Sequence, residues 1–332
     1  MPRFSIIIPV YNRPDEMEDL LASLAAQTVK NFEVVITEDG STIPCRDVCD
    51  RYADRIDIRY YVQENIGRSP ARNNSMAHAT GDYFVFFDSD CVIPPDYFAT
   101  LARELDARPL DCFGGPDAAH ESFSDMQKAI NFAMTSFLTT GGIRGGKASM
   151  EKFTPRTFNM GFSREVYEKT GGFREMFSED IDMSKRIEAG GFTTGLIRNC
   201  PVYHKRRLSM RKFFRQVHVF GMSRITLKLL YPGSMKLVHA LPACFVIGLL
   251  MLLVGAVFVS PWFLAPIGVY AVALFVAALV STRSLKVAAL AVPASFIQLI
   301  GYGTGFIKAY FTKIILGKGR NIEEEVAARK GK

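Results

Sequence analysis

In this chain of 332 residues, no aspartate or glutamate occurs between Ala189 and Ile322. Residues 1–188 carry 21 Lys+Arg against 30 Asp+Glu, a balance of −9, whereas the remainder carries 19 against 3, a balance of +16. A solvated domain rarely sheds its carboxylates over such a length, so the second part serves a membrane, an anionic ligand or both. A simple soluble enzyme is thereby excluded. The apolar runs Leu241–Val259, Trp262–Val280 and Val287–Ile307 lack Asp, Glu and Arg, and each approaches the ~20 residues that cross a bilayer. Only Ser260 and Pro261 join the first two, which predicts a hairpin of antiparallel helices. The third contains Pro293, Gln298 and the run Gly301-Tyr302-Gly303-Thr304-Gly305, compatible with a full span, a re-entrant segment or an interfacial helix.

Nine basic residues, from Lys205, Arg206 and Arg207 through Arg211, Lys212, Arg215, Arg224 and Lys228 to Lys236, precede the first run. By the positive-inside tendency that side is cytoplasmic, which predicts a plasma or inner-membrane protein with its N-terminal domain in the cytoplasm. Arg283 and Lys286 agree, whereas three full crossings would export Lys313, Lys318 and Arg320, so the third crossing stays open. The run Ser5-Ile6-Ile7-Ile8 is too short for the apolar core of a signal peptide. In a reducing compartment the six cysteines are expected as free thiols, and the Cys45 to Cys49 spacing is a poor zinc signal.

Periodicity in the N-terminal part predicts strands at Phe4–Val10, Phe32–Thr37, Ile56–Val62 and Tyr83–Phe87, alternating with helices. That alternation implies an α/β domain with a mainly parallel sheet covered on both faces, and ligands bind at the carboxyl ends of such strands. There the chain places Asp39, Asp88 and Asp90. Neither GxGxxG after the first strand nor GxxxxGK[ST] is present, so dinucleotide and P-loop chemistry are not indicated. Two carboxylates in Asp88-Ser89-Asp90 suit a divalent cation that bridges phosphate oxygens, although the same triplet also serves as a plain strand-end turn. A second acidic pair, Glu179-Asp180, opens a predicted amphipathic helix.

Taken in order, these pieces resemble the inverting glycosyltransferases of family 2, with the nucleotide-sugar GT-A fold. The resemblance runs through Ser5-Ile6-Ile7-Ile8-Pro9-Val10-Tyr11-Asn12, Glu38-Asp39-Gly40-Ser41, Asn65-Ile66-Gly67 with Ala71-Arg72-Asn73, Asp88-Ser89-Asp90, Gly171-Gly172-Phe173 and Ser178-Glu179-Asp180-Ile181-Asp182. It implies that Asp39 contacts the base or ribose, that Asp88 helps hold nucleotide and metal, that Asp90 coordinates Mn²⁺ or Mg²⁺, and that Asp180 is the catalytic base. Pro9, Tyr11, Asn12, Glu38, Asn65, Arg72 and Ser89 complete the implied donor site. His204 resembles the late histidine that finishes the metal site in many GT-A enzymes; its other reading is a surface histidine beside the basic cluster. Lys205, Arg206 and Arg207 suit either pyrophosphate or anionic lipid headgroups.

Such chemistry has two demands. Negative charge growing on the leaving diphosphate must be neutralised, and the poorly nucleophilic acceptor hydroxyl must lose its proton to a carboxylate within reach. Residue types alone do not separate Asp180 from Glu179, and the pair also reads as acids complementing a helix dipole. Met160-Gly161-Phe162 and Gly171-Gly172-Phe173 are expected to shape the sugar pocket through close backbone approach, and Phe123–Thr140 is expected as one helix before a glycine-rich loop.

Processive family members carry Gln-x-x-Arg-Trp on an interfacial helix. The corresponding Phe213-Phe214-Arg215-Gln216-Val217-His218 lacks it, which argues against polymer extrusion. The expected plan is a catalytic domain over 1–207, an amphipathic interfacial segment over 208–238, two to three membrane helices over 239–311 and a polar tail over 312–332. The expected activity is transfer of a sugar from a nucleotide donor to a lipid-linked, polyprenyl-type saccharide acceptor in cell-surface polysaccharide biosynthesis, with no nucleic-acid partner. The alternatives are a polyprenyl-phosphate glycosyltransferase and a non-catalytic membrane scaffold.

Overall fold

The structure is a computed structural model that describes residues 1–118, 123–141, 153–204, 209–319 and 321–322. Its elements begin β1 (Phe4–Val10), α1 (Pro14–Ala25), β2 (Phe32–Asp39), α2 (Arg46–Asp50), β3 (Asp57–Gln63), α3 (Arg68–His78), β4 (Tyr83–Phe86), β5 (Cys91–Val92), α4 (Tyr97–Ala107), β6 (Cys112–Gly114) and β7 (Asp117–Ala118). They continue α5 (Asp125–Thr135), α6 (Phe137–Thr140), β8 (Met160–Ser163), α7 (Arg164–Thr170), α8 (Glu179–Ala189), β9 (Thr194–Leu196), β10 (Val202–His204), α9 (Met210–Leu230), α10 (Leu241–Phe258), α11 (Ala265–Thr282) and α12 (Leu285–Ala309). The described residues divide into an α/β unit, residues 1–118 and 153–204, and a helical unit, residues 123–141, 209–319 and 321–322. The helical unit thus takes in 123–141, a stretch placed with the catalytic domain on sequence grounds.

The α/β unit is built on a seven-stranded sheet in the order β3-β2-β1-β4-β8-β6-β9. Strands β3, β2, β1 and β4 are mutually parallel, and β8 runs antiparallel between β4 and β6. The near-continuous apolar reading of β1 and β2 follows from burial on both faces. Ile6, Ile8, Val34 and Ile36 join the layer containing α1 and α4, while Ile7, Val35, Phe84 and Phe86 point into the layer containing Met76, Phe173 and Met183. Met160-Gly161-Phe162 is strand β8 itself. A Cβ on Gly161 would lie 2.2 Å from the Phe113 ring, so this glycine admits a core aromatic and the expected pocket role gives way to packing. Gly172 is similar: its Cβ would meet Asn73 Oδ1 at 2.4 Å, and Asn73 clamps the turn by accepting from Phe173 N at 2.7 Å and donating to Phe173 O at 2.9 Å. A second, three-stranded sheet, β5-β10-β7, carries chain from the acidic turn after β4.

Among the described residues of the helical unit, three helices are long and apolar enough to cross a membrane: Leu241–Phe258, Pro261–Thr282 and Leu285–Ile315. Over an apolar 18-residue stretch of each, buried residues make up 11% in the first two but 44% in the third, so the third is the covered one. Along its first half α12 sets Val287, Ala288 and Ala291 against Leu274 and Ala278 of α11 and against Ala129 and Phe132 of α5. Its second half meets α9 through missing side chains. A Cβ on Gly221 would lie 2.0 Å from Tyr302 O, one on Gly305 2.0 Å from His218 O, and one on Gly301 2.4 Å from Val217 Cγ2. The glycines that weakened this segment as a span are the positions where two helices touch at backbone distance. The expected single helix over Phe123–Thr140 is broken at Ser136, whose extended backbone ends α5 and whose hydroxyl caps α6.

Candidate active site

The carboxyl ends of β1, β2 and β4 and the start of α8 assemble the sequence-predicted acids. Pro9 lies within β1; Tyr11, just beyond it, is 48% exposed. Asn12 adopts a positive φ of 53°, a conformation uncommon outside glycine. Its side-chain oxygen accepts from Ile43 N at 2.9 Å and from Thr42 Oγ1 at 3.1 Å, and its own N–H donates to Ser41 Oγ at 2.7 Å. Asn12 thereby fixes the loop after β2. Glu38 turns inward at 1% exposure, accepting from Cys45 N at 2.8 Å, from Tyr60 Oη at 2.7 Å and from Ser41 Oγ. Every one of these bonds stays within the fold, which gives Glu38 a structural task in place of the expected donor contact. Burial first, then the bond to Glu38, pushes the Tyr60 hydroxyl up.

The Asp39 carboxylate organises the neighbouring turn: it accepts from Gln63 Nε2 at 2.8 Å, Ile66 N at 3.0 Å and Gly67 N at 3.0 Å. Asn65 sits against Gly40, where φ is +66° and a Cβ would lie 2.5 Å from Asn65 N. The Asp-Gly and Asn-x-Gly pieces of the sequence are one substructure, built on backbone proximity that only glycine allows.

Arg72 ties the next two pieces together. Its guanidinium donates to Asp88 Oδ1 at 2.7 Å and to Glu179 Oε1 at 2.8 Å, and the residue is 1% exposed. The expected donor contact is therefore replaced by a bridge between the acidic turn and α8. Arg68, which sequence reasoning missed, donates to Glu179 Oε2 at 2.7 Å. Both Glu179 oxygens are thus held by guanidinium groups. Asp180 differs: its side chain is 18% exposed, Oδ1 accepts from Ile181 N at 2.8 Å, and Arg156 Nη1 stands 3.7 Å from Oδ2. Arg156 was also missed, because nothing in its local sequence ties it to α8. Asp182 is buried between Arg174 at 3.2 Å and Arg186 at 3.0 Å and braces the helix.

In the acidic turn, Cys91 N donates to Asp88 O at 3.1 Å, and Ser89 Oγ donates to Glu16 Oε2 at 3.0 Å. Burial, followed by the charges of Asp90 and Asp88, pushes the Cys91 thiol well above its ordinary range. Two carboxylates therefore flank one strand end, the hard oxygen donors that Mg²⁺ and Mn²⁺ take. Strand register pairs position 204 with Cys91, one residue from Asp90. The side chain of His204, and Lys205, Arg206 and Arg207, lie outside the described residues. Among the described residues no three His, Cys, Asp or Glu side chains form a metal-binding group.

A parallel half-sheet extended by antiparallel β8, with an acidic turn after β4 and an acidic helix start behind it, defines a GT-A glycosyltransferase domain. The model for glycosyl transferase family 2 matches residues 5–171, and the chain belongs to that family. It is 28% identical over 222 residues to the validoxylamine A glucosyltransferase of Streptomyces hygroscopicus subsp. jinggangensis, covering 58% of this chain and 52% of that protein. It is 34% identical over 186 residues to the uncharacterized glycosyltransferase EpsJ of Bacillus subtilis, covering 54% and 53%. The chain spans about half the length of these relatives. Among solved structures, the mannosyltransferase PcManGT from Pyrobaculum calidifontis, in complex with GDP-Man and Mn²⁺, has a TM-score of 0.61 at 18% identity, covering 94% of this chain and 88% of that one.

Proposed function

We propose that the protein is a membrane-anchored, metal-dependent, inverting glycosyltransferase that moves a hexose from a nucleotide-diphosphate donor to a lipid-linked saccharide, with its α/β unit in the cytoplasm of a plasma or inner membrane. The observation that carries this is the chain Asp88–Arg72–Glu179, which fixes the acidic turn and the start of α8 in one rigid frame and leaves Asp180 as the accessible acid there. The GDP-Man and Mn²⁺ held by the structural neighbour support a nucleotide sugar and a divalent ion as ligands.

In this reading Asp39, with Tyr11, Asn12 and Asn65, borders the nucleoside. Asp88 and Asp90 would hold the ion, with His204 as a further ligand, and Ser89, Lys205, Arg206 and Arg207 would bind the diphosphate. When bound, the ion supplies positive charge against the leaving diphosphate. Asp180 accepts the proton of the acceptor hydroxyl as that oxygen attacks the anomeric carbon from the side opposite the leaving group. Glu179 takes no part in the proton transfer in this reading, because Arg68 and Arg72 engage its two oxygens. Its part is to hold the helix start in place. The three apolar helices support membrane association, and a lipid-linked acceptor is the substrate that such an anchor serves best.

The test is release of UDP or GDP from a donor panel by the purified full chain in detergent, with and without a lipid-linked acceptor. Acceptor-dependent release that disappears in excess chelator and returns with Mn²⁺ or Mg²⁺ is expected. Undiminished transfer in chelator contradicts the metal assignment, and no release from any donor contradicts the activity.

A further inference from the structure

Whether α12 is a third crossing is decided by what its two ends touch. The chain reverses between α10 and α11 at Ser260, whose N–H donates to Gly255 O at 2.9 Å and whose hydroxyl accepts from Trp262 N at 3.4 Å. A Cβ on Gly255 would lie 2.4 Å from the Phe263 ring, so the chain folds straight back on itself. The end of α11 at Thr282 therefore returns to the face from which α10 departs at Leu241, and α12 starts directly after it, at Leu285. From Leu285 to Gly303 the helix rises about 27 Å at 1.5 Å per residue, close to the ~30 Å of a hydrocarbon core. Had α12 crossed, Gly303 would sit at the opposite face. Instead, a Cβ on Gly303 would lie 2.3 Å from Pro242 O and 2.7 Å from Val246 Cγ2, in the first turns of α10. The turns that continue α12 over Tyr310–Ile315 stay at the same level. Lys228 Nζ stands 5.7 Å from the Tyr310 ring centre, Lys313 Nζ donates to Thr226 Oγ1 at 2.5 Å, and a Cβ on Gly319 would meet Leu229 Cδ1 at 2.6 Å. Thr226, Lys228 and Leu229 belong to the last turns of α9, which leads into α10.

We infer that α12 does not cross the bilayer. It lies along the face where α10 enters and α11 leaves, a bar joining the two feet of a hairpin, and the partner that this face fits is the phosphate layer of a single leaflet. Charge agrees with the geometry. Lys236 before α10, Arg283 and Lys286 after α11, and Lys308, Lys313 and Lys318 at the far end of α12 all come to one level, whereas residues 241–282 carry no charge. A third crossing would move Lys308, Lys313 and Lys318 to the face opposite Lys236, against the tendency of cations to collect on one side. Composition agrees as well: the mean hydropathy of the third stretch is 1.5, against 2.6 and 2.4 for the hairpin pair, and a helix lying in the interface needs less apolar surface than a span. This arrangement of the anchor holds whatever sugar acceptor the protein uses.

Single cysteines in the full chain test it. Cys244 is exposed and the other five cysteines are buried, so Cys244→Ser is the background and should itself take no label. A membrane-impermeant maleimide is applied to intact expressing cells and to inverted membrane vesicles. Lys236→Cys and Lys318→Cys, both at exposed positions, should react in the same preparation and be shielded in the other. Reaction of Lys318→Cys in the preparation that shields Lys236→Cys overturns the assignment. Depth is the second readout, taken from a fluorophore on Ala289→Cys or Ile307→Cys and quenching by lipids labelled at two depths, in vesicles of phosphatidylglycerol and phosphatidylcholine. Both positions are exposed and stand about five turns apart on one face of α12, so they should lie within about 5 Å of each other in depth, where a crossing helix separates them by about 27 Å. Ile247→Cys and Phe258→Cys on α10 should differ in depth by about 15 Å, which calibrates the measurement. A separation between Ala289→Cys and Ile307→Cys larger than that on α10 refutes the in-plane helix.

Discussion

Arg72 Nη1 lies 2.8 Å from Glu179 Oε1, and each side chain is 2% exposed. A buried ion pair of this kind adds little over an apolar pair, but removing one partner strands the other charge in low dielectric. Arg72→Met should therefore cost about 3–5 kcal/mol, read as a lowered thermal midpoint of the purified protein in detergent. Arg72→Met combined with Glu179→Met should recover part of that loss. A single variant within about 1 kcal/mol of wild type would show that Arg68 alone suffices for Glu179.

Asp90→Ala and Asp180→Asn should fail in different ways. Loss of a metal ligand weakens donor binding, whereas loss of the base leaves donor affinity nearly intact and lowers turnover by about two to four decades. Isothermal titration with the nucleotide sugar, beside kcat for each variant, separates the two. Equal loss of donor affinity in both contradicts the division of roles.

On α9 the basic residues divide into two groups. Arg211, Lys212 and Arg215 are exposed, while Arg224 is engaged by His239 and Ser234 and Lys228 lies over the Tyr310 ring. Near an anionic surface each free cation contributes about 1 kcal/mol, so neutralising the three removes up to about 3 kcal/mol of surface attachment, less in high salt. The wild type should transfer faster in anionic than in neutral vesicles, and the Arg211→Gln, Lys212→Gln, Arg215→Gln variant should show no such advantage while remaining in the membrane. An unchanged advantage assigns the three residues another task.

Glu33, buried beneath the sheet, predicts a pH dependence. Burial raises its carboxyl, but bonds from Ser5 Oγ at 2.6 Å, Thr80 N at 2.5 Å and Thr80 Oγ1 at 2.9 Å, with Arg59 Nη2 3.1 Å away, bring it below the ordinary value. A depressed folded-state value stabilises the fold above the unfolded value of about 4.3 and loses that contribution as pH falls through the folded one. Glu33→Gln should thus be less stable than wild type at neutral pH, with the difference shrinking below about pH 4. A gap in thermal midpoint that widens on acidification would reverse the sign and refute the assignment.

The parallel half of the sheet was legible because β1, β2 and β4 are short apolar runs ended by polar turns. The acids at their ends were legible because a strand terminus fixes where its next residue sits. What sequence did not show was the use of each residue. Glu38 and Arg72 read as ligand contacts and Asn73 only as part of a motif, and their bonds run to Tyr60, Glu179 and Phe173. Those partners lie 22, 107 and 100 residues away, and no local pattern reports a pairing across such distances. Strand β8 was missed as a strand because its four residues carry a glycine at the position that faces Phe113. Arg68 gave one signal, a cation directly after Gly67 where α3 begins, but its target became visible only when α8 was placed beside it.

The contact between α9 and α12 is made where side chains are absent, with Gly221 against Tyr302 O and Gly305 against His218 O. Two helices joined in this way have no rotamers to exchange and no methyl groups to trade, so the joint cannot be tuned in small steps. Any residue larger than glycine drives a carbon into a carbonyl oxygen and forces the helices apart along their whole seam. Adaptation of the unit to a bilayer of different thickness or a lipid of different shape must then be written into the outward faces of α10 and α11, whose residues change without disturbing a neighbour. The seam acts as a fixed datum, and the membrane-facing pair as the part free to vary around it.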